Sequence, residues 1–403
     1  MGSSTSVEVA VIGGGPAGLT AAIALASAGI ETAVVSRRST EVDNRTTALL
    51  VTSVAALTAL DVWETCAQHA AALRRLRLID DTKRLLRAPE VLFDAAEIGL
   101  DAFGFNIENQ HLLAALEARI AQQGARLTRI DDIARHIVIG DAQARVELSG
   151  GATIAARLLV AADGARSLCR QVAGIPVRCE THPQAALTVN FCHTRPHRDT
   201  STEFHTESGP VTQVPLKSAR SSLVYVVRPH EADRLTRLDG PTLSDLVEQR
   251  LHSILGTVSV EAGRGLFRLR RQIAERFAGE RIALVGEAAH VIPPIGAQGL
   301  NLGLRDAAAL AELIVAEHRR GQDVGDARVL ARYDAERRGD VRSRATAVDL
   351  LNRSLLSDFL PVHGLRGLGL FLLERVGPLR RALMREGVAP TLAEPRLMRG
   401  EAL

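Results

Sequence analysis

The sequence predicts an α/β protein. A helix-wound parallel sheet is interrupted by a mainly β insertion and followed by a helical C-terminal region. Three observations carry this reading. A strand, a glycine turn, a helix and a second strand open the chain within residues 7–35. Strand-forming residues then crowd the middle third, at 186–192 and 222–227. An apolar strand at 281–285 restores the first pattern, with a glycine loop and a long helix behind it. Strands alternating with helices signal βαβ units, and a block of strands between them signals an inserted sheet.

Taken in order, residues 7–12 are a buried apolar run. Residues 16–28 are an Ala-rich helix with Pro16 in its first turn, and 32–35 are the second strand. Apolar residues recur at helical spacing over 47–63. Residues 73–86 alternate in part, and Asp80-Asp81 marks the turn of an expected hairpin. A helix is expected over 112–122, with Gly124 in a C-cap role. Short strands follow at 133–139, 144–148 and 158–162. Helices are expected at 242–254 and 300–318, and most of the chain beyond 326 reads as helical.

Bulk properties narrow the function. The 403 residues suit two joined domains, with 46% apolar and 24% charged residues. Lys plus Arg is 49 against 46 for Asp plus Glu, a net charge of +3, so a nucleic-acid partner is not expected. Cys66, Cys169, Cys179 and Cys192 lack CxxC spacing, so neither a disulfide framework nor a metal site is expected. No basic segment followed by an apolar stretch opens the chain, and no apolar run is long enough to span a bilayer. The expected compartment is the cytoplasm, with membrane contact at most peripheral.

The first motif is Gly13-Gly14-Gly15-Pro16-Ala17-Gly18. Gly13 makes the turn, Gly15 lets a pyrophosphate approach the backbone, and Gly18 lets helix and strand pack closely. The helix start at Pro16 and Ala17 offers unpaired N–H groups to phosphate. An ordinary tight turn is the rival reading, and the strand before and helix after argue against it. At the end of the second strand, where an acid would take ribose hydroxyls, stand Ser36, Arg37 and Arg38. Arginines there suit a 2′-phosphate, so this loop alone leaves FAD and NADP open.

Two later motifs decide between them. Asp163-Gly164-Ala165-Arg166 follows one buried strand. Gly286-Glu287-Ala288-Ala289-His290 follows another and runs into Pro293-Pro294-Ile295-Gly296-Ala297-Gln298-Gly299-Leu300-Asn301. With the glycine loop, this set resembles the class A FAD-dependent aromatic hydroxylases, the superfamily of para-hydroxybenzoate hydroxylase. Asp43-Asn44-Arg45-Thr46-Thr47 and a C-terminal segment around Gly364 to Arg381 are similar to the ubiquinone-biosynthesis members. The resemblance covers nearly the whole chain and is weakest over about 180–260.

The resemblance implies a Rossmann-like FAD-binding domain at 1–72, 98–180 and 264–330. It implies a substrate domain at 73–97 and 181–263, and a C-terminal helical region at 331–403. It places Arg45, and Asn109 or Gln110, near the flavin, and gives Asp163, Gly164 and Arg166 to the cofactor. Gly286, Glu287, Pro294, Gly296, Gln298, Gly299, Leu300 and Asn301 form the flavin-end loop, with His290 and Pro293 beside the ring. Glu287 departs from the family's Asp by one methylene, while keeping the charge. His290 either polarises substrate or flavin or is a satisfied structural histidine.

The function implied is hydroxylation of a phenolic ring, prenylated in the ubiquinone pathway, with FAD as cofactor, NAD(P)H as reductant and O2 as oxidant. The partner is thus an aromatic or quinone-like small molecule. The rivals are a flavin-dependent hydroxylase of another aromatic metabolite, a flavin reductase of isoprenoids, and a non-catalytic flavin-binding subunit of a biosynthetic assembly.

Three other clusters invite a reading. Cys192, His193, His197 and His205 read as a solvated loop in preference to a metal site, because Pro196 breaks helical pairing. Arg268, Arg270 and Arg271 read as a solvated strand face. The apolar segment 365–373, with Leu379, Leu383 and Met384, is edged by Arg366, Arg380, Arg381 and Arg385. It suits a membrane-surface or biosynthetic-complex contact, or packing of terminal helices onto the body, which is the commoner outcome.

Overall fold

The computed structural model describes residues 4–38, 43, 45–82, 87, 89–294, 296–356, 376–388 and 394–403. Its architecture is the mixed α/β one that the sequence predicts. The first sheet has eight strands. Its spine runs, in space, Ala278–Gly279, Ile282–Leu284, Thr153–Ala161, Ser4–Ile12, Thr32–Val35 and Leu127–Ile130. All spine neighbours pair in parallel except the first two. Ala134–Ile139 and Ala144–Leu148 extend the sheet as antiparallel strands beside Thr153–Ala161.

Register decides where the loops emerge. Ile12 lies opposite both Val35 and Ala161, Ala161 opposite Leu284, and Val35 opposite Ile130. Five carboxyl ends therefore finish level, and the segments after them start side by side. In open α/β sheets this edge is where ligands bind. The carboxyl halves of the central spine strands are apolar and buried, as in a parallel sheet covered on both faces. Helix Pro16–Ser27 packs on helix Gln298–Arg319, and the approach is close. A Cβ on Gly303 would come within 3.2 Å of both the Ala17 Cβ and the Gly286 Cα. Leu19, Ile23, Leu158, Leu304 and Leu310 are among the fully buried side chains of this core. Each contributes about 1.5–3 kcal/mol by burial.

The second sheet has nine strands. Its order is His290–Val291, Gly265–Ala274, Val177–His193, Arg220–Val227, Gly209–Leu216, Thr200–Thr206, Arg75–Asp80 and Val91–Asp94, with Val258–Val260 beside Val177–His193. Helices Pro229–Thr236 and Gly240–Arg250 cover one face over Phe204, Leu223 and Tyr225. A small antiparallel sheet of Thr46–Leu50, Gly104–Glu108 and Ala71–Leu73 joins the two large sheets. Thr46 donates to Ser222 (2.9 Å), Asn106 donates to the Pro215 carbonyl (2.9 Å), and Arg220 pairs with Glu108 (3.1 Å).

The structure corrects several local expectations. Thr46–Leu50 is a strand, and the helix begins only at Val51, because pairing with Gly104–Glu108 overrides the helical spacing. The 73–86 hairpin forms between Arg75–Asp80 and Val91–Asp94. Asp80-Asp81 is therefore a strand end, and residues 83–86 and 88 lie outside the described residues. The 112–122 helix starts earlier, at Asn109, and ends at Ala121; Gly124, at φ +61°, opens a separate 3-10 turn.

His193 and His205 are buried on strands, not in a solvated loop. His193 bonds the Arg195 carbonyl and Ser221, and His205 bonds Glu203 at 2.7 Å. Segment 365–373 lies outside the described residues. Within helix Gly377–Val388, Met384 is buried while Leu379 and Leu383 are 49% and 50% exposed. Among the described residues no helix is long and apolar enough to cross a membrane.

Candidate active site

A cavity of about 330 Å³ opens at the level strand ends. Gly15, Pro16, Ala17 and Gly18 line it from the first loop, and Ala162 and Gly164 from the second. The third motif contributes Gly286, Glu287, His290, Gly299 and Leu300, and Arg45 closes one side. Segments distant in sequence meet here because their strands are in register.

The first loop is built for close approach. A Cβ on Gly13 would lie 2.0 Å from the Ala162 carbonyl oxygen, and its φ is +120°, so only glycine fits. At Gly15 a Cβ would meet nothing within 4 Å, so the open side faces the cavity. Helix Pro16–Ser27 has no side-chain cap at its start, which leaves its first amides for an anion.

Asp163 shows the same preparation. One carboxylate oxygen accepts from the Cys169 amide at 3.1 Å, and the other is buried with no partner. Such an acceptor awaits a donor. Arg170 fixes this turn to the third motif by donating to the Ala165 carbonyl (3.0 Å) and the Ala288 carbonyl (2.8 Å).

Arg45 is aimed by a short chain of bonds. Asp43 grips it at 2.7 and 2.6 Å, Asn109 donates to Asp43 at 3.1 Å, and Thr47 donates to Asn109 at 2.7 Å. Burial alone would raise the Asp43 carboxyl, but bonds from Arg45 and Asn109 outweigh it and hold its pKa down. The Asp43 bond likewise raises the pKa of Arg45, with a smaller contribution from the charge of Glu287. The guanidinium also stands 5.3 Å from the Phe267 ring centroid.

Behind the third motif lies a buried ionic network. His290 Nε2 and Asp306 Oδ2 are 2.6 Å apart, both side chains at 0% exposure. The same oxygen accepts from the Gly286 amide (3.0 Å), and Arg337 donates to the other oxygen at 2.8 Å. Arg337 continues to Asp340 (2.6 Å), and Asp340 to Arg344 (2.9 Å). Burial would raise the Asp306 carboxyl, yet His290 and Arg337 beside it hold its pKa below the ordinary value. His290 thus reads as an anchored histidine at the cavity wall, with Nδ1 buried and unpartnered.

The remaining predicted residues spread outward. Asn301 is fully committed. Its oxygen accepts from the Leu50 amide (2.9 Å) and Ser53 (2.7 Å), and its nitrogen donates to the carbonyls of Ala48 (2.8 Å) and Ala297 (2.6 Å). An amide offers no more than this, so the Asn301 side chain braces the cavity wall and has no bond left to give a cofactor. Pro293 is buried, Pro294 and Gly296 are exposed, and Gln298 bonds the Gly296 carbonyl at 3.1 Å. Gln110 is half-buried in the first turn of its helix, Arg166 is exposed, and Ser36 and Arg37 stand at the end of the second strand.

The sequence reading missed Asp306 and Arg337. The available signal was an acid inside the apolar run Leu302 to Leu310, since a buried charge needs a partner.

Residues 6–347 match the model of the FAD binding domain family. The chain belongs to that family. It is 34% identical over 419 residues to the ubiquinone hydroxylase UbiL of Rhodospirillum rubrum, covering 100% of this chain and 95% of that one. It is 32% identical to the 3-demethoxyubiquinol 3-hydroxylase of Escherichia coli over 94% of this chain and 97% of that one. Among solved structures it resembles the p-nitrophenol 4-monooxygenase PnpA from Pseudomonas putida DLL-E4. The TM-score is 0.79 at 19% identity, over 96% of this chain and 100% of that one. The fold is that of an FAD-binding monooxygenase. The glycine cradle, the uncapped helix start and the unpartnered Asp163 oxygen fit FAD.

Proposed function

We propose that this chain hydroxylates the ring of a phenolic, prenylated intermediate of ubiquinone biosynthesis, with NAD(P)H as reductant and O2 as oxidant. The observation that carries the proposal is the cavity at the level strand ends, with an unpartnered acceptor at Asp163 and a fixed cation at Arg45. Relatives at 34% and 32% identity are named for ubiquinone-pathway hydroxylation, which supports this substrate class. Bound FAD would supply the redox chemistry, taking up electrons and activating O2.

The chain's own groups bind and orient. The Pro16–Ser27 helix start and the first glycine loop take the pyrophosphate, and Asp163 offers its unpartnered oxygen to the cofactor. Arg45, pinned by Asp43 and lying over Phe267, borders the ring end. Glu287 keeps the carboxylate of the third motif. His290 holds the Gly286 turn through Asp306. The exposed Leu379 and Leu383 on a helix that also carries Arg381 and Arg385, with Val376 just before it, support peripheral contact with a membrane that stores the lipid substrate.

The test is direct. Purified protein is expected to carry or take up FAD, seen by its visible absorption, and to oxidise NAD(P)H with a prenylphenol. Product mass is expected to show one added oxygen atom. Addition of two hydrogens instead would make it a reductase, and a protein that never binds FAD would overturn the proposal.

A further inference from the structure

The end of the second strand lacks the acid that reads the sugar in dinucleotide folds; Ser36 stands there. Its hydroxyl is not turned away. A Cβ on Gly14 would lie 2.1 Å from Ser36 Oγ and 3.4 Å from Arg129 Nη2, so both groups stand against the glycine loop. Arg129 donates to Ser36 Oγ (2.9 Å), to the Ser36 carbonyl (2.7 Å) and to the Ile130 carbonyl (3.0 Å). It also donates from Nε and Nη2 to Glu117 Oε1, at 3.1 and 3.0 Å. A single guanidinium thus separates Ser36 from a carboxylate.

The donor count assigns the roles. A guanidinium has five N–H groups, and Arg129 engages all five, its Nε–H shared between the two Glu117 oxygens. It has none left for a phosphate, which argues against a 2′-phosphate site built on this arginine. Glu117 is differently placed. Its Oε1 takes two of the Arg129 donors, while its Oε2 has one long contact of 3.3 Å. The Glu117 side chain is 27% exposed and that of Arg129 only 9%. Ser36 Oγ accepts from Arg129, which leaves its own proton to give. An acceptor with a lone pair to spare on Glu117, and a free donor on Ser36 against the glycine loop, match a sugar hydroxyl.

We infer that Glu117, held from helix Asn109–Ala121 by Arg129, replaces the missing strand-end acid. Ser36 and Glu117 together take the adenosine ribose hydroxyls of FAD. The inference rests on the FAD reading above.

The test uses full-length apoprotein and three probes: FAD, an FAD analogue lacking the adenosine 2′-hydroxyl, and FMN, which lacks the adenosine. Dissociation constants come from flavin fluorescence. The parent is expected to prefer FAD to the deoxy analogue about tenfold, the worth of one hydrogen bond to a charged group. Glu117→Gln is expected to weaken FAD about tenfold, abolish that preference and leave FMN unchanged. Ser36→Glu, which returns the acid to the strand, is expected to make FAD binding insensitive to Glu117→Gln. If Glu117→Gln weakens all three probes alike, or none, Glu117 is a structural partner of Arg129 and the inference falls. If the parent discriminates while Glu117→Gln still does, the hydroxyl is read elsewhere. A parent that binds no flavin overturns the FAD reading itself.

Discussion

At the scale of single residues, Asp306 binds three groups without exposed surface: the Gly286 amide and His290 from one segment, and Arg337 from another. Removing its charge takes away one of the two carboxylates that buried Arg337 bonds, the other being Asp340, and the one that buried His290 bonds. Asp306→Asn is therefore expected to cost about 3–5 kcal/mol, measured by denaturant unfolding. The pH dependence has a definite sign. Burial raises the Asp306 pKa, His290 and Arg337 outweigh burial, and the folded value lies below the ordinary 3.8. A depressed folded pKa gives stability that is present above the unfolded value and lost as pH falls through the folded one. The parent is expected to lose melting temperature below about pH 4, and Asp306→Asn to lose less over the same window. Parallel curves for the two proteins would show that Asp306 does not set the acid limb. Gly13 acts through space instead of charge. Gly13→Ala places a methyl 2.0 Å from the Ala162 oxygen at φ +120°, so one of the two loops must move. The expected result is protein isolated without flavin absorbance, with FAD affinity down at least about a hundredfold, the effect of a displacement of about 1 Å in a positioned site.

At the scale of elements, Asn301 ties the start of helix Gln298–Arg319 to the Thr46–Leu50 strand and the following Val51–Ala59 helix. Asn301→Ala leaves the Leu50 amide and Ala48 carbonyl without this partner. It is expected to cost about 2 kcal/mol and to speed hydrogen exchange at Leu50. Exchange at Leu50 equal to the parent's would rule out the brace. The same strand shows why local pattern reading reaches only so far. Leu49, Ala56, Leu57 and Leu60 are buried at a spacing that reads as helical, yet Thr46–Leu50 is extended because Gly104–Glu108 pairs with it from far along the chain. Of strands Ser4–Ile12 and Thr153–Ala161 only the carboxyl halves, from 7 and from 158, were legible, because burial there makes them nearly continuous apolar runs. Thr200–Thr206 was not, since it buries polar side chains that only the folded partners satisfy. Ser201 donates to the Gln213 carbonyl at 3.0 Å, and His205 bonds Glu203 at 2.7 Å.

At the scale of the whole molecule, the glycine loops of the cofactor site were legible because close backbone approach restricts the residue type. What holds them was not legible. Arg170, Asp306 and Arg129 each act on a segment remote in sequence, and no spacing rule connects them. The cavity wall exists only when the level strand ends, the Arg45 segment and helix Gln298–Arg319 are all in place. An unfolded chain cannot assemble that wall, so FAD binds the folded state alone and must stabilise it by mass action. At a free FAD concentration one hundred times its dissociation constant, the gain is about 2.7 kcal/mol. With an unfolding entropy of about 2.1 cal/mol/K per residue, a chain of this length is expected to melt about 3 °C higher. FMN, which makes no adenosine contact and binds less tightly, is expected to give a smaller shift at the same concentration. Differential scanning calorimetry of apoprotein with each flavin decides the matter. An FAD shift no larger than that of FMN would mean that the adenosine half contributes nothing, and that the first glycine loop is not where the cofactor is held.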